Sequence, residues 1–296
     1  VCVNHNFERR LGLWPAGVDK DGIMFCNQYF SDYPKVIPQG KFDPMSVKPE
    51  YMLLSYKKKV SASSEQAECK AENAVDESIK SVWQSKTNKR GEWLAVDLGK
   101  VSAVQVNFGD YKTPKKKAPK KEYGGTISQE RYIDEELVEY AYKMEYSNDG
   151  DDWKPYGDEA IFTTLPHKLV ESEVKARFIR ITFISAPFNQ NFTISGLRVF
   201  GIGQGDKPAQ VTGESAERLN DTTANISWGC QQNTTGYCIR IGIAPDKLYN
   251  SVLLYGQNEY ELTFLNRETD TYYYAVDSFN EQGITEGSIQ SFTRGK

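Results

Sequence analysis

Between Leu53 and Phe200, apolar and polar residues alternate in short runs bounded by Gly, Asp, Asn or Pro. That is the pattern of antiparallel strands with one face buried. In VSAVQVNF, Val104, Val106 and Phe108 point one way and Gln105 and Asn107 the other; in RFIRITF, Ile179, Ile181 and Phe183 form one stripe and Arg180 and Thr182 the opposite one. YKMEYSNDGDDW and ISGLRVFG add further strands of the same kind. After a Gly-, Pro- and charge-rich stretch at 201–210, TTANISW, GYCIRIGI, YELTFL and TYYYAVDSF read as a second set. No sustained 3.6-residue apolar period occurs, so the chain is predicted to be all-β.

The segment before Leu53 is different. Its one apolar run, GIMFCNQYF, lies between Asp-rich turns and a series of prolines, Pro34, Pro38, Pro44 and Pro49, so it is too short and broken to build its own core. It carries Trp14, Met24, Phe25, Tyr29, Phe30 and Tyr33, too much apolar surface to leave wet, and is predicted to pack on the sandwich that follows. A length of 296 residues suits two domains of ordinary size. The predicted division is a hairpin-like N-terminal tail at 1–50, a β-sandwich at 51–203, a linker at 204–210 and a second sandwich at 211–296.

A net charge of −4 argues against a dedicated nucleic-acid binder. No apolar run approaches the roughly 18 residues that read as a transmembrane helix, and a membrane role is not expected. The chain begins at Val1, which suggests a start inside a longer precursor. Five cysteines and two histidines make no zinc spacing; ordinary free thiols are the first reading, with Cys230 and Cys238, across a turn, and more weakly Cys2 and Cys26 as the alternative disulfide pairs. No GxSxG, HExxH or glycine-rich phosphate loop is present, and no catalysis is expected from this chain alone.

The ordered segments SYKKKVSASS, AENAVDESIKSVW, GEWLAVDLGKVSAVQVNF, YKMEYSNDGDDW, ARFIRITF and ISGLRVFG resemble the discoidin, or coagulation factor 5/8 type C, family, which includes family 32 carbohydrate-binding modules. The resemblance implies a jelly-roll sandwich with binding loops at its ends. An insertion interrupts it, with KTPKKKAPKKEYGG at 112–125 followed by the acidic DEELVE at 134–139. ANISW with LNRETDTYYYAVDSFNEQGITEGS resembles a fibronectin type III domain, in which Trp228 would be a core residue and Tyr272 a corner tyrosine bonded to nearby backbone. WPAGVDKDG followed by DYP resembles the end of the propeller domain of family 43 glycoside hydrolases. Read together, these make the chain the accessory region of a secreted glycoside hydrolase: extracellular, on the cell surface or periplasmic, monomeric, and following an upstream catalytic domain.

Sugar sites pair an aromatic plate with a few polar side chains. APFNQNFT offers Phe188 and Phe192 around Asn189, Gln190 and Asn191, and Trp83, Gln84 and Tyr111 are expected at the same end of the sandwich. Trp93 and Trp153 read as packing positions. The family resemblance implies a structural Ca²⁺ on AENAVDESIKSVW through Asn73, Asp76 and Ser81, with a Glu just before the last strand. The chain departs from that pattern twice: Asp-Gly becomes Asp76-Glu77, and the late Glu is Gly196. A metal-free turn is the alternative. The expected partner is a polysaccharide or oligosaccharide. The rival roles are a structural brace without a ligand site and an adhesion or membrane-surface module.

Overall fold

The computed structural model describes residues 14–98, 100–109, 139–165 and 167–294. Strands hold 44% of the chain and helices 4%, which makes it all-β, as predicted. The helical residues among those described are single 3-10 turns at Pro44–Ser46, Ala71–Val75 and Pro187–Asn189. Contacts divide the chain into two compact units, one over Leu54–Gly201 and one that joins residues 14–53 to residues 202–294.

Among the described residues, ten strands belong to the first unit. In chain order after β1 (Ala16–Val18), β2 (Met24–Cys26) and β3 (Met52–Leu53) of the other unit, they are β4 (Val60–Ala62), β5 (Trp83–Gln84), β6 (Trp93–Asp97), β7 (Lys100–Phe108) and β8 (Tyr140–Ser147), then β9 (Lys154–Pro155), β10 (Ile161–Thr163), β11 (His167–Lys175), β12 (Phe178–Ser185) and β13 (Thr193–Ile202). One sheet runs β10-β8-β12-β6-β4 with β9 on β8; the other runs β11-β7-β13 with β5 on β13. The predicted stripes are the core: Val104, Val106 and Phe108 from β7 and Ile179, Ile181 and Phe183 from β12 are all buried. Arg180 and Thr182 point outward and both donate to Glu145 on β8, at 3.0 and 2.6 Å. Aromatic rings fill one end of this core, with Phe108 stacked on Tyr140 at 3.9 Å and Phe183 on Phe192 at 4.3 Å. Phe192, Ile194, Leu197 and Val199 all enter the core, so the inward stripe changes parity between Ile194 and Leu197.

The second unit contains β14 (Ser215–Arg218), β15 (Ala224–Ser227), β16 (Gly236–Gly242), β17 (Asn250–Tyr255), β18 (Glu259–Leu262), β19 (Thr271–Asn280), β20 (Gly283–Thr285) and β21 (Gln290–Thr293). Sheets β14-β15-β18 and β17-β16-β19-β20, with β21 on β19, enclose Ile226, Trp228, Tyr237, Ile239, Tyr274 and Val276. The Tyr272 hydroxyl accepts from the Asn266 N–H at 2.6 Å, the backbone bond expected of it.

Residues 14–53 cluster with the second unit, a packing the sequence did not indicate. The reason lies in β16 and β19, whose outward residues Cys238, Ala275, Asp277 and Phe279 are buried as well as their inward ones. Residues 25–33 cover that outer face: Phe30 meets Phe279 edge-on at 5.1 Å, Tyr29 donates to Asp277 at 2.8 Å, and the Tyr33 and Tyr255 hydroxyls lie 2.9 Å apart. Arg240 neutralises the fully buried Asp277 through two bonds of 2.7 and 2.8 Å, the condition under which a buried carboxylate is tolerated. Phe25 stacks on Tyr249 at 4.4 Å, while Lys247 lies 3.1 Å from Asp19 and also pairs with Asp21.

Cys26, Cys230 and Cys238 are free thiols, so the candidate Cys230–Cys238 pair is not bridged; Cys230 is exposed, whereas Cys238 is buried under the N-terminal layer and desolvation pushes its pKa up. Cys2 lies outside the described residues.

Candidate functional site

Two loops form one end of the first unit: residues 85–92, between β5 and β6, and residues 186–192, between β12 and β13. Glu92 organises the first. Its carboxylate accepts from the hydroxyls of Ser63, of Ser64 at 2.7 Å and of Thr87 at 2.6 Å. Desolvation works to raise its pKa, but these three hydroxyls outweigh it and hold the group below its ordinary range. Ser85 ties the loops together, donating to the Thr87 carbonyl at 2.6 Å and accepting from the Phe192 N–H at 3.0 Å. Asn191 donates to the carbonyls of Ser85 and Lys86 at 3.1 and 3.2 Å.

The second loop carries unusual backbone. Phe188 (φ 57°, ψ 20°) and Asn189 (φ 51°) both lie in the left-handed region. Such a conformation costs a non-glycine residue roughly 1–2 kcal/mol. Asn88 holds the pair in place, its side-chain amide donating to both the carbonyl and the side-chain oxygen of Asn189 at 2.8 Å. Phe188 is half-buried next in the chain to the clamped Asn189, with Lys86, Lys89 and Arg90 exposed on the neighbouring loop. A flat apolar ring next to fixed amide groups can stack on one face of a sugar and bond its hydroxyls.

The structure separates the candidate residues into three groups. Phe188 and Asn189 come together at the surface. Gln84 and Asn191 are half-buried and engaged within the protein, Gln84 donating to the Thr193 hydroxyl at 3.0 Å. Trp83 and Phe192 are corrected to core positions at 0% exposure, so neither ring can meet a ligand. The Trp83 indole N–H donates to the Ser64 carbonyl at 3.0 Å. Phe192 is drawn inward because it begins the buried stripe of β13. Tyr111 and the insertion that follows it lie outside the described residues. Trp153 packs as expected, its N–H donating to the Gly150 carbonyl at 2.8 Å and its face covered by Arg180 at 3.9 Å. The sequence reading missed Glu92, Lys89 and Arg90; the only available signal for Glu92 was a carboxylate directly before a strand, with hydroxyl-rich SASS upstream.

Asn73, Asp76 and Ser81 share one loop. Asp76 accepts from the Ser78 N–H at 2.8 Å and from the Ser81 hydroxyl at 2.6 Å, and Asn73 donates to the Val82 carbonyl at 3.0 Å. Among the described residues, no three His, Cys, Asp or Glu side chains are grouped to hold a metal.

No protein-family model matches this sequence, and no curated protein matches it significantly. Several solved structures are similar. Chitosan-binding module 1 of a chitosanase/glucanase from Paenibacillus sp. IK-5 is 19% identical, covering 50% of this chain and 97% of that one, with a TM-score of 0.36. CpGH89CBM32-4 from Clostridium perfringens, in complex with GlcNAc-α-1,4-galactose, is 16% identical, covering 52% and 96%, with a TM-score of 0.36. The family 32 module of C. perfringens NanJ, in complex with galactose, is 20% identical, covering 50% and 98%, with a TM-score of 0.34.

Proposed function

We propose that the first unit binds a neutral saccharide non-covalently at the Phe188–Asn189 loop end, as the non-catalytic accessory region of a secreted glycoside hydrolase. The observation that carries this reading is the Asn88–Asn189 clamp. It keeps two consecutive non-glycine residues in left-handed backbone and leaves Phe188 half-exposed next in the chain to the clamped Asn189. Conformational cost concentrated at one surface loop is a reason to look there for function. In this role, binding raises the local concentration of an attached catalytic domain on its polymer, an effect that weak monovalent affinity is enough to produce. The second unit, read as a fibronectin type III domain, serves as spacer; the Tyr272–Asn266 bond and the buried Trp228 support that reading.

A glycan array spanning galactosides, arabinosides, xylosides and plant polysaccharides tests the proposal, followed by titration of the best hit at two salt concentrations. Binding to neutral glycans should change little with salt. Strong salt dependence would assign the end to an anionic polymer through Lys86, Lys89 and Arg90. The second reading, a brace without a ligand site, is favoured by the burial of Trp83 and Phe192. Silence across the array would select it.

A further inference from the structure

The loop to which the discoidin resemblance assigns Ca²⁺ already supplies its oxygens with donors. Both Asp76 carboxylate oxygens are engaged, Oδ1 by the Ser78 N–H at 2.8 Å and Oδ2 by the Ser81 hydroxyl at 2.6 Å. The Val82 carbonyl accepts from Asn73 Nδ2 at 3.0 Å, so Asn73 turns its nitrogen rather than its oxygen onto the loop. The Val75 carbonyl accepts from the Lys57 N–H at 2.9 Å. Ca²⁺ takes roughly six to eight oxygens at about 2.3–2.6 Å. The late carboxylate that would add one is Gly196, where a Cβ would meet Asn107 Nδ2 at 2.9 Å, again a nitrogen donor. These groups do not fit the metal.

A cation is present all the same. Arg198 lies two residues beyond Gly196 along β13, on the same face of the strand. Its Nε donates to Glu77 Oε1 at 3.1 Å and its Nη2 lies 3.0 Å from Oε2, with the two side chains 8% and 12% exposed. This is the fork-to-carboxylate geometry that makes an arginine pair strong and directional. Glu77 sits at φ 60°, left-handed backbone that disfavours any residue with a side chain. The sequence tolerates a glutamate there because its carboxylate is held by Arg198.

We propose that the Arg198 guanidinium is the cation of this loop: through Glu77 it closes the 71–82 turn in place of a bound metal. A divalent ion beside an almost fully buried guanidinium would meet direct repulsion. The arrangement lets β5 and Ser85, which anchor the loop end described above, hold their geometry without Ca²⁺. The inference stands apart from the saccharide reading and does not depend on it.

The test is thermal unfolding of the 296-residue chain in EDTA and in millimolar Ca²⁺, alongside Arg198→Met and Glu77→Gln. Wild-type melting should be the same in both solutions to within about 1 °C, because a ligand that does not bind the folded state adds nothing to it. Each variant should lower the first unit's transition by roughly 10 °C, the scale expected when one partner of a buried pair is removed from a unit of this size. The double variant should cost less than the sum of the two single ones. A wild-type midpoint several degrees higher in Ca²⁺ would overturn the proposal. So would variants that melt like the wild type in EDTA. Should Arg198→Met fail to fold, Glu77→Gln and the wild-type comparison decide the matter between them.

Discussion

Replacing Phe30 by Ala tests whether residues 14–53 are an integral layer of the second unit. Phe30 is 1% exposed and packs edge-on against Tyr29, Tyr33 and Phe279 at 4.9, 5.0 and 5.1 Å. Removing a buried phenyl ring costs roughly 3–5 kcal/mol, the lost transfer energy plus the cavity left behind. Here the walls of the cavity are set by the β16–β19 sheet on one side and by Tyr29, bonded to Asp277, on the other, so little collapse is available and the upper half of that range applies. For a unit of this size the loss corresponds to a fall in Tm of roughly 10–15 °C. Differential scanning calorimetry should show the second unit's transition shifted and the first unit's unchanged. Met24→Ala, at a position 79% exposed, is the matched control and should change stability by no more than about 0.5 kcal/mol. A Phe30→Ala protein that melts like the wild type would refute the layered packing and return the N-terminal segment to a passive tail.

Other outcomes follow from the hydrogen-bonded carboxylates. Asp149 sits near pKa 2, lowered from 3.8 by the N–H groups of Asp152 and Asp151 and by the Ser147 hydroxyl. Asp19 also sits near 2: desolvation works upward, but the Ile23 N–H, Lys247, Tyr249 and the Asp21 N–H outweigh it. A depressed carboxylate contributes stability that is full above its unfolded pKa and is lost as pH falls through the folded one, so Tm should drop between about pH 3.8 and pH 2. Asp149→Asn should flatten that drop for the first unit. Glu92→Ala strips three hydroxyls of their shared acceptor and should cost about 1–3 kcal/mol in urea unfolding. Trp93→Ala should chiefly lower the melting temperature of the first unit rather than its affinity for sugar.

Much of the fold was legible because strand periodicity is local. The β7 and β12 stripes could be read residue by residue, and the same alternation located the core of both sandwiches. The cover on β16 and β19 was half-legible: TYYYAVDSF is apolar almost without a break, a sign of burial on both faces. Its covering residues, however, stand far off in sequence; Tyr29 and Asp277 are 248 residues apart. At the candidate site, composition found the loop APFNQNFT but not which ring faces out. That depends on where β13 begins its inward stripe: Phe192 belongs to the stripe, while Phe188, four residues earlier, rides on the left-handed turn. The proximity of Asp76 and Ser81 follows from their spacing. The Glu77–Arg198 pair spans 121 residues and left no local trace except the glutamate in a position that favours glycine.

The most direct test of the central claim is calorimetric titration of the best array glycan into the wild-type chain and into Phe188→Ala, with melting curves for both. The wild type should bind with Kd between about 0.1 and 10 mM, and Phe188→Ala should bind at least roughly tenfold more weakly, a loss of about 1.4 kcal/mol, at an unchanged Tm. Equal affinity in the two proteins would contradict the assignment of the site to the Phe188–Asn189 loop, and failure of the wild type to bind any glycan would contradict the function itself.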